Sequence, residues 1–235
     1  DVIVNVPKFK THQLTTLTAA VKNLYGFVAG TYKAELHKQY FKPLEFSRAV
    51  VDILERVKPA LTIVDAVVAM EGDGPATGGK LRNAGLILCG TDCLAVDVVL
   101  AHLMGLKPDA VFFIKEAAKR GLGTADIKAV KIIGEPLESA VLKNFLLPTA
   151  FIGSKWPVFL VQAFRKLVRL KPQVLHRSCI RCGSCIRACP KKVISLRRGR
   201  VHIAYRGCIS CFCCQEVCPA AAIKVKKSFL ARIMG

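Results

Sequence analysis

Eight cysteines near the C-terminus of this 235-residue chain fall into two copies of one pattern. Each copy reads Cys-x2-Cys-x2-Cys-x3-Cys-Pro, first from Cys179 to Pro190 and again from Cys208 to Pro219. Three thiolates on a tight loop can bind three iron atoms of one cubane, while the fourth cysteine, which precedes proline, binds the other cubane. The spacing predicts two interlocked 4Fe-4S clusters. Their ligands are Cys179, Cys182, Cys185 and Cys218 for the first, and Cys208, Cys211, Cys214 and Cys189 for the second.

The two motifs are copies of one internal repeat, because Cys179 aligns with Cys208 and Ile194 aligns with Ile223 at the same offset. Short apolar runs predict small strands at Val193–Leu196, Val201–Ile203 and Ala222–Val225. On these features residues 176–228 resemble a bacterial-type ferredoxin that carries two 4Fe-4S clusters. The resemblance implies a small α+β domain.

A cysteine-rich segment can also bind zinc or form disulfides. Zinc sites usually pair two Cys-x2-Cys knuckles, and disulfides need an oxidising compartment, so both alternatives fit this spacing less well. A further alternative keeps the clusters but makes them structural or regulatory. Iron-sulfur clusters and free thiols persist best under reducing conditions, which predicts a cytoplasmic protein. The chain opens at Asp1 inside a predicted strand, so we expect an N-terminally truncated domain, upstream of which an export signal could lie.

The basic charge of the chain, +20 in all, is concentrated in the cysteine-rich part. Residues 171–235 contain 14 lysines and arginines but a single acid, Glu216. Such a surface attracts an acidic redox partner, nucleic acid or anionic lipid. We favour the acidic partner, because the segment has no nucleic-acid-binding motif. An ordinary solvated basic face explains the same composition.

Residues 1–147 alternate strand and helix patterns, which predicts an α/β layered domain. Residues 176–235 form the predicted ferredoxin-like domain. The segment between them, residues 148–175, reads as a basic amphipathic connector helix that docks on one domain, rather than on a membrane surface. The predicted strands are Val2–Val6, Leu61–Val67, Ala84–Cys89 and Val130–Ile133. The predicted helices are Leu14–Leu24, Leu44–Val57, Cys93–Leu103 and Asp109–Arg120, the third capped by Thr91 or Asp92.

Three stretches of residues 1–134 resemble the family known as domain of unknown function 362, whose members often carry a ferredoxin module. They are Val6–His12 with Lys22–Gly26, Asp65 with Ala69–Pro75, and Gly90–Asp92 with Ala95–Asp97. Cys93 departs from the family pattern, which has proline there. The family implies no established activity.

Polar residues of these stretches follow predicted strands, where α/β proteins place their sites. We predict one pocket for an anionic or metal-bearing small molecule, formed by Lys8, Lys10, His12, Lys22, Asn23, His37 and Asp92. Each residue alone is better explained as a solvated or structural group. The acids Asp65, Glu71, Asp73, Asp92 and Asp97 match no cation-binding loop. Asp65 is expected to have a partner such as Lys10 or a backbone amide, which favours an internal ion pair over a cation site. Cys89, Cys93 and Cys213 are predicted not to be cluster ligands.

The leading functional hypothesis is an iron-sulfur protein that transfers single electrons in a redox function of the α/β domain, as a component of an oxidoreductase. The alternative is a binding or regulatory protein with structural clusters and a basic docking face. A third hypothesis is a metal- or cofactor-handling enzyme centred on Lys8, Lys10, His12 and His37. The sequence names no substrate.

Overall fold

The computed structural model describes residues 2–29, 32–40, 42–74, 79–148, 151 and 170–228. The first domain is built on a mixed sheet. Its strands are β1 Val4–Asn5, β2 Lys8–His12, β3 Thr16–Thr18, β4 Leu61–Gly72 and β5 Gly79–Gly90.

β4 is the central strand of this sheet. β1 and β2 run parallel to β4 one after the other along the same edge, while β5 pairs antiparallel with the opposite edge. Pro7 separates β1 from β2, because proline has no N–H to donate to the ladder. Its carbonyl still accepts a hydrogen bond from the Asp65 amide at 2.9 Å. The predicted strand Val2–Val6 is therefore the first part of a longer, interrupted edge.

Six helices accompany the sheet in the described part of this domain. They are α1 Ala20–Asn23, α2 Tyr32–Gln39, α3 Pro43–Arg56, α4 Cys93–Leu103, α5 Phe112–Lys119 and α6 Leu137–Ala140. Proline in the first turn of α3 matches the N-terminal preference of that residue. Asp92 caps α4, since its carboxylate accepts the amides of Leu94 and Ala95 at 2.9 Å. Within the described residues, no helix combines the length and apolar character needed to cross a membrane.

The core lies between the sheet and these helices. On β4, Thr62, Val64 and Ala66 are buried, while the alternate residues are more exposed. α4 packs on β4 and β5, and α3 and α5 complete the layer. Phe9 of β2 is fully buried and stacks on Phe145, with 5.5 Å between ring centroids. The predicted α/β layered fold is confirmed.

Two predicted elements of this domain are wrong. The helix predicted at Leu14–Leu24 is replaced by the β2–β3 hairpin and the short helix α1, because Thr16 adopts a left-handed conformation with φ of 66°. His12 Nδ1 accepts the amides of Leu14 and Thr15 at 3.1 and 3.4 Å and so closes the turn. The strand predicted at Val130–Ile133 is a loop, where Ile133 is 84% exposed and has no strand neighbour.

The second domain contains two small antiparallel sheets and two short helices. Its elements are β6 Leu170–Val174, α7 Ser184–Arg187, β7 Ile194–Arg197, β8 Arg200–Ile203, α8 Cys213–Glu216 and β9 Ile223–Lys227. β6 pairs with β9, and β7 pairs with β8. Ile194, Val201, Ile203 and Ile223 form its apolar core. These elements confirm the small α+β domain.

The predicted connector helix needs correction at its end. Residues 152–169 of the predicted range 148–175 lie outside the described residues. Leu170–Val174 is strand β6, not helix, because these residues pair with β9. The second domain therefore starts before the predicted residue 176.

Candidate functional site

The structure groups the eight motif cysteines around two separate cavities. In each cavity three thiols come from one loop and the fourth comes from the other motif. The first cavity is lined by Cys179, Cys182, Cys185 and Cys218. The second is lined by Cys208, Cys211, Cys214 and Cys189. The spacing of the two motifs predicts these same two groups.

The two cysteine loops share an unusual backbone conformation. Arg181 and Ser210, which are equivalent in the repeat, have positive φ of 59° and 54°, and Gly183 and Phe212 follow at 74° and 59°. Left-handed turns of this kind can direct successive backbone N–H groups into a concavity that accepts negative charge. Non-glycine residues hold this conformation only when their surroundings enforce it. The loops are therefore shaped to surround an anionic group.

Backbone amides also reach the sulfur atoms that each motif contributes to the opposite cavity. The Val193 amide donates to Cys189 Sγ at 3.4 Å, and the equivalent Ala222 amide donates to Cys218 Sγ at 3.2 Å. Hydrogen bonds to sulfur are one of the means by which proteins set cluster potentials. Cys189 and Cys218 thus each accept an equivalent hydrogen bond from a backbone amide.

The thiol sets fit 4Fe-4S clusters better than the alternatives considered from the sequence. All eleven cysteines are free thiols in the structure, so the disulfide alternative is not observed. A zinc ion binds all four of its thiolates at about 2.3 Å, so a zinc site brings the four sulfur atoms around one point. Among the described residues, no three His, Cys, Asp or Glu side chains are arranged around a single metal ion.

Among the equivalent positions at which the two loops differ, one lies beside a ligand thiol. Ser184 Oγ lies 3.4 Å from Cys182 Sγ, and this hydrogen bond is the main reason why the pKa of the exposed Cys182 thiol is lowered. Cys213 replaces serine in the second loop, and its hydrogen bond lowers the pKa of Cys211 to about 7. Burial raises the pKa of Cys214 to about 12. Cys213 is thus a neighbour of a ligand rather than a member of either cavity.

The surroundings of the two cavities are unlike. The first cavity has an open rim, where Ile180 is 65% exposed and Arg181 and Arg187 are exposed. The second loop is covered, since Phe212, Cys213, Cys214 and Gln215 are buried.

Glu216, next along the chain, contacts the first domain. Its Oε1 lies 3.5 Å from His12 Nε2. The second cavity therefore lies at the junction of the two domains.

The junction brings together three residues of the predicted pocket, Lys10, His12 and Lys22, whose charges act on one another. His12 Nδ1 is an acceptor, so the neutral ring carries its proton on Nε2, facing Glu216. Burial lowers the pKa of His12, and the Glu216 hydrogen bond opposes this shift only in part. Burial also lowers the pKa of Lys22 to about 8. The Lys22 ammonium lies 4.5 Å from the centroid of the Tyr25 ring.

Three other predicted pocket residues have partners of their own. Lys8, rather than Lys10, forms an exposed ion pair with Asp65 at 2.7 Å, and Asp65 Oδ1 also accepts the backbone amide of Val67 at 3.1 Å. Asn23 donates from its amide to Asn5 Oδ1 at 2.8 Å. Asp92, besides capping α4, accepts the amide of Thr124 at 2.7 Å.

His37 lies in α2, but its side chain is outside the described residues. Of the seven predicted pocket residues, the described structure therefore brings three together at the junction. Lys8, Lys10 and His12 lie within β2 rather than after a strand.

The remaining acids have structural partners. Fully buried Asp97 accepts the amides of Ala20 and Val21, each at 2.8 Å, and burial raises its pKa to about 7. Glu71 accepts the amide of Leu146 at 3.2 Å. Asp73 accepts a hydrogen bond from the Gln13 side chain at 2.9 Å. These contacts favour structural roles over a cation site.

Glu216 was not predicted as a contact between the two domains. A signal was available, because it is the single acid of residues 171–235. An isolated acid in so basic a segment is a candidate for a specific ion pair.

Comparison with known proteins agrees with the division of the chain into two domains. Residues 1–102 match the family described as domain of unknown function (DUF362), and residues 171–219 match the 4Fe-4S dicluster domain. The first domain is thus similar to one known family and the second domain to another. A thylakoid-associated protein of Synechocystis sp. is 33% identical over 149 residues, which cover 63% of this chain and 46% of that protein. The chain thus spans about half the length of this curated relative. A cytoplasmic location of the present iron-sulfur protein stays a prediction.

Proposed function

We propose that this iron-sulfur protein binds two 4Fe-4S clusters and transfers single electrons between a partner protein and its DUF362 domain. The observation that carries the proposal is the unequal setting of the two cavities. One has an exposed rim, and the other is covered at the junction with the first domain. A 4Fe-4S cluster supplies reversible one-electron chemistry. An open site and a covered site suit the two ends of an electron path.

The exposed loop would receive the partner. Cys182 and Ile180 are solvent-exposed, and Arg177, Arg181 and Arg187 are exposed beside them. Complementary charge accelerates encounter between redox proteins and orients the complex. We therefore propose that an acidic protein docks on this rim and exchanges one electron there.

The covered loop would serve the DUF362 domain. Phe212 and Gln215 are buried around Cys213 and Cys214, and these side chains exclude water from that side of the second cavity. Glu216 links the loop to His12 of β2. This arrangement supports a role as a component of an oxidoreductase whose substrate lies in the first domain.

The test is a redox titration of the full chain purified without oxygen. About eight irons and eight acid-labile sulfides per chain are expected, together with two reversible one-electron signals in electron paramagnetic resonance. Iron that cannot be reduced without loss of the clusters would contradict electron transfer, and would favour structural clusters in a binding or regulatory protein.

Docking is tested separately by charge reversal. An acidic ferredoxin serves as the electron donor, and the transfer rate is followed by stopped-flow absorbance. Arg181→Glu and Arg187→Glu should each slow transfer about tenfold at low salt and converge on the wild-type rate at high salt. Lys58→Glu is the matched control, because Lys58 is exposed on the first domain. Equal slowing by all three variants would show that net charge, rather than this rim, matters.

A further inference from the structure

The junction contains more positive than negative charge. The charges of Lys10 and Lys33 act on Lys22 there, and the Glu216 carboxylate interacts with Lys22 and His12. With neutral His12, three cations face one anion. No carboxylate of the described residues lies within ion-pair distance of the Lys22 ammonium. A desolvated ammonium of this kind is costly unless an anion compensates it.

The two faces of the β2–β3 hairpin lie in different surroundings. Phe9, Thr11 and Leu17 are fully buried in the first domain. Lys10 and His12 alternate with them along β2 and so belong to the other face, where Lys10 pairs with Thr18. The packing of the core therefore fixes the position of the cationic face.

Four buried polar atoms of the hairpin and of α8 lack a hydrogen-bond partner within the described chain, namely Thr11 Oγ1, Gln13 Oε1, Thr18 Oγ1 and Gln215 Nε2. Thr18 Oγ1, on the strand paired with Lys10, makes no hydrogen bond, and neither does Gln215 Nε2 on α8, beside Glu216. Gln215 is only 3% exposed. Buried donors without acceptors are rare and costly, and a bound polar molecule is one explanation. Such groups lie on both sides of the junction.

We propose that this junction binds a small molecule through a carboxylate or phosphate group, held by Lys10, Lys22 and His12 beside the second cysteine loop. Lysine ammonium groups and the protonated Nε2 of histidine are hydrogen-bond donors suited to an oxyanion. Glu216 occupies part of the same donor set through its contact with His12. The inference deepens the proposed function and rests on it in one respect, since it names the class of molecule that the DUF362 domain would present for electron exchange.

The experiment is isothermal titration calorimetry on the full chain with its clusters, purified without oxygen in chloride buffer free of phosphate and sulfate. Inorganic phosphate and succinate are the two probes, and the tighter one identifies the preferred oxyanion. Lys10→Gln and Lys22→Gln should each weaken binding about tenfold. Glu216→Gln should strengthen binding several-fold, because it removes a competing carboxylate.

Lys8→Gln is the matched control. Lys8 lies two residues before Lys10 on the same strand, but it is exposed and paired with Asp65. Its replacement should leave the affinity within about twofold of wild type. Failure of both probes to bind the wild type, or equal weakening by Lys8→Gln, would overturn the proposal. Iron content verifies folding, and if Lys22→Gln does not fold, Lys10→Gln and Glu216→Gln decide.

The same samples separate this inference from the proposed function. Specific anion binding with clusters that cannot be reversibly reduced would support the site and contradict electron transfer. Reversible reduction without anion binding would support electron transfer and contradict the site.

Discussion

The interlocked ligand sets predict an unusual result for double replacements. Cys182 and Cys218 lie in different motifs but line the same cavity, whereas Cys182 and Cys211 line different cavities. Each cavity would hold about four of about eight irons. Cys182→Ala and Cys218→Ala should therefore each leave about four irons per chain, and combining them should still leave about four.

The matched comparison replaces the same number of cysteines. Cys182→Ala combined with Cys211→Ala removes one ligand from each cavity and should leave no stable cluster. Iron and acid-labile sulfide are measured on protein purified without oxygen. Cys213→Ser is the control for replacement of a buried thiol near a cavity, and it should retain about eight irons, because Ser184 occupies the equivalent position in the first loop.

The opposite pattern would refute the grouping. If each motif held its own cluster, the Cys182 and Cys218 replacements together would remove all iron. The grouping would also be refuted if the Cys182 and Cys211 double variant kept about half of its iron, since both thiols would then bind the same cluster.

Three further predictions concern single residues. Cys213→Ser should raise the midpoint potential of the second cluster by about 40 mV, because a serine hydroxyl donates a hydrogen bond to Cys211 that is stronger by about 1 kcal/mol. The midpoint is measured in a titration followed by electron paramagnetic resonance, and an unchanged value contradicts this prediction. Asp97→Ala should lower the free energy of unfolding by about 3 kcal/mol in chemical denaturation, because two amides lose a buried acceptor. Burial raises the pKa of Asp97 from 3.8 to about 7, so wild-type stability should fall by about 2 kcal/mol from about pH 5.5 to about pH 8.5, a slope that the alanine variant should lack. Lys8→Ala breaks only an exposed ion pair, so a loss above about 1 kcal/mol would contradict that assignment.

The cysteine groups were predictable because their chemistry restricts their geometry. A loop with three thiols at fixed spacing can serve one cavity, and the cysteine before each proline points to the other. α3 and α4 were predictable for local reasons, since Pro43 and Asp92 mark their starts. These signals are independent of distant residues.

The hairpin was not predictable from local pattern. Leu14, Leu17, Val21 and Leu24 recur at helical spacing, yet pairing with β2 and the His12 turn override that periodicity. The ion-pair partner of Asp65 was missed for the same reason. Strand register places Lys8 opposite Asp65, with an irregularity before Lys10, and register depends on tertiary packing.

The broader pocket was only partly predictable. Adjacency in sequence brought Lys10 and His12 to one strand face, but Asn23 binds Asn5, and Asp92 accepts the amide of Thr124. Which polar residues form a site and which support the fold depends on partners distant in sequence. Asp97, which accepts amides 76 and 77 residues away, illustrates that dependence.

The stacking of Phe9 on Phe145 has a consequence for how this protein tolerates change. A strand has two sides, so a shift of β2 by one residue would exchange them and move Lys10 and His12 into the hydrophobic interior. Single-residue insertions or deletions between Lys8 and Thr18 should thus abolish folding and ligand capture together. Evolution of a new specificity at the junction must proceed there by substitution, with the length of the hairpin held constant.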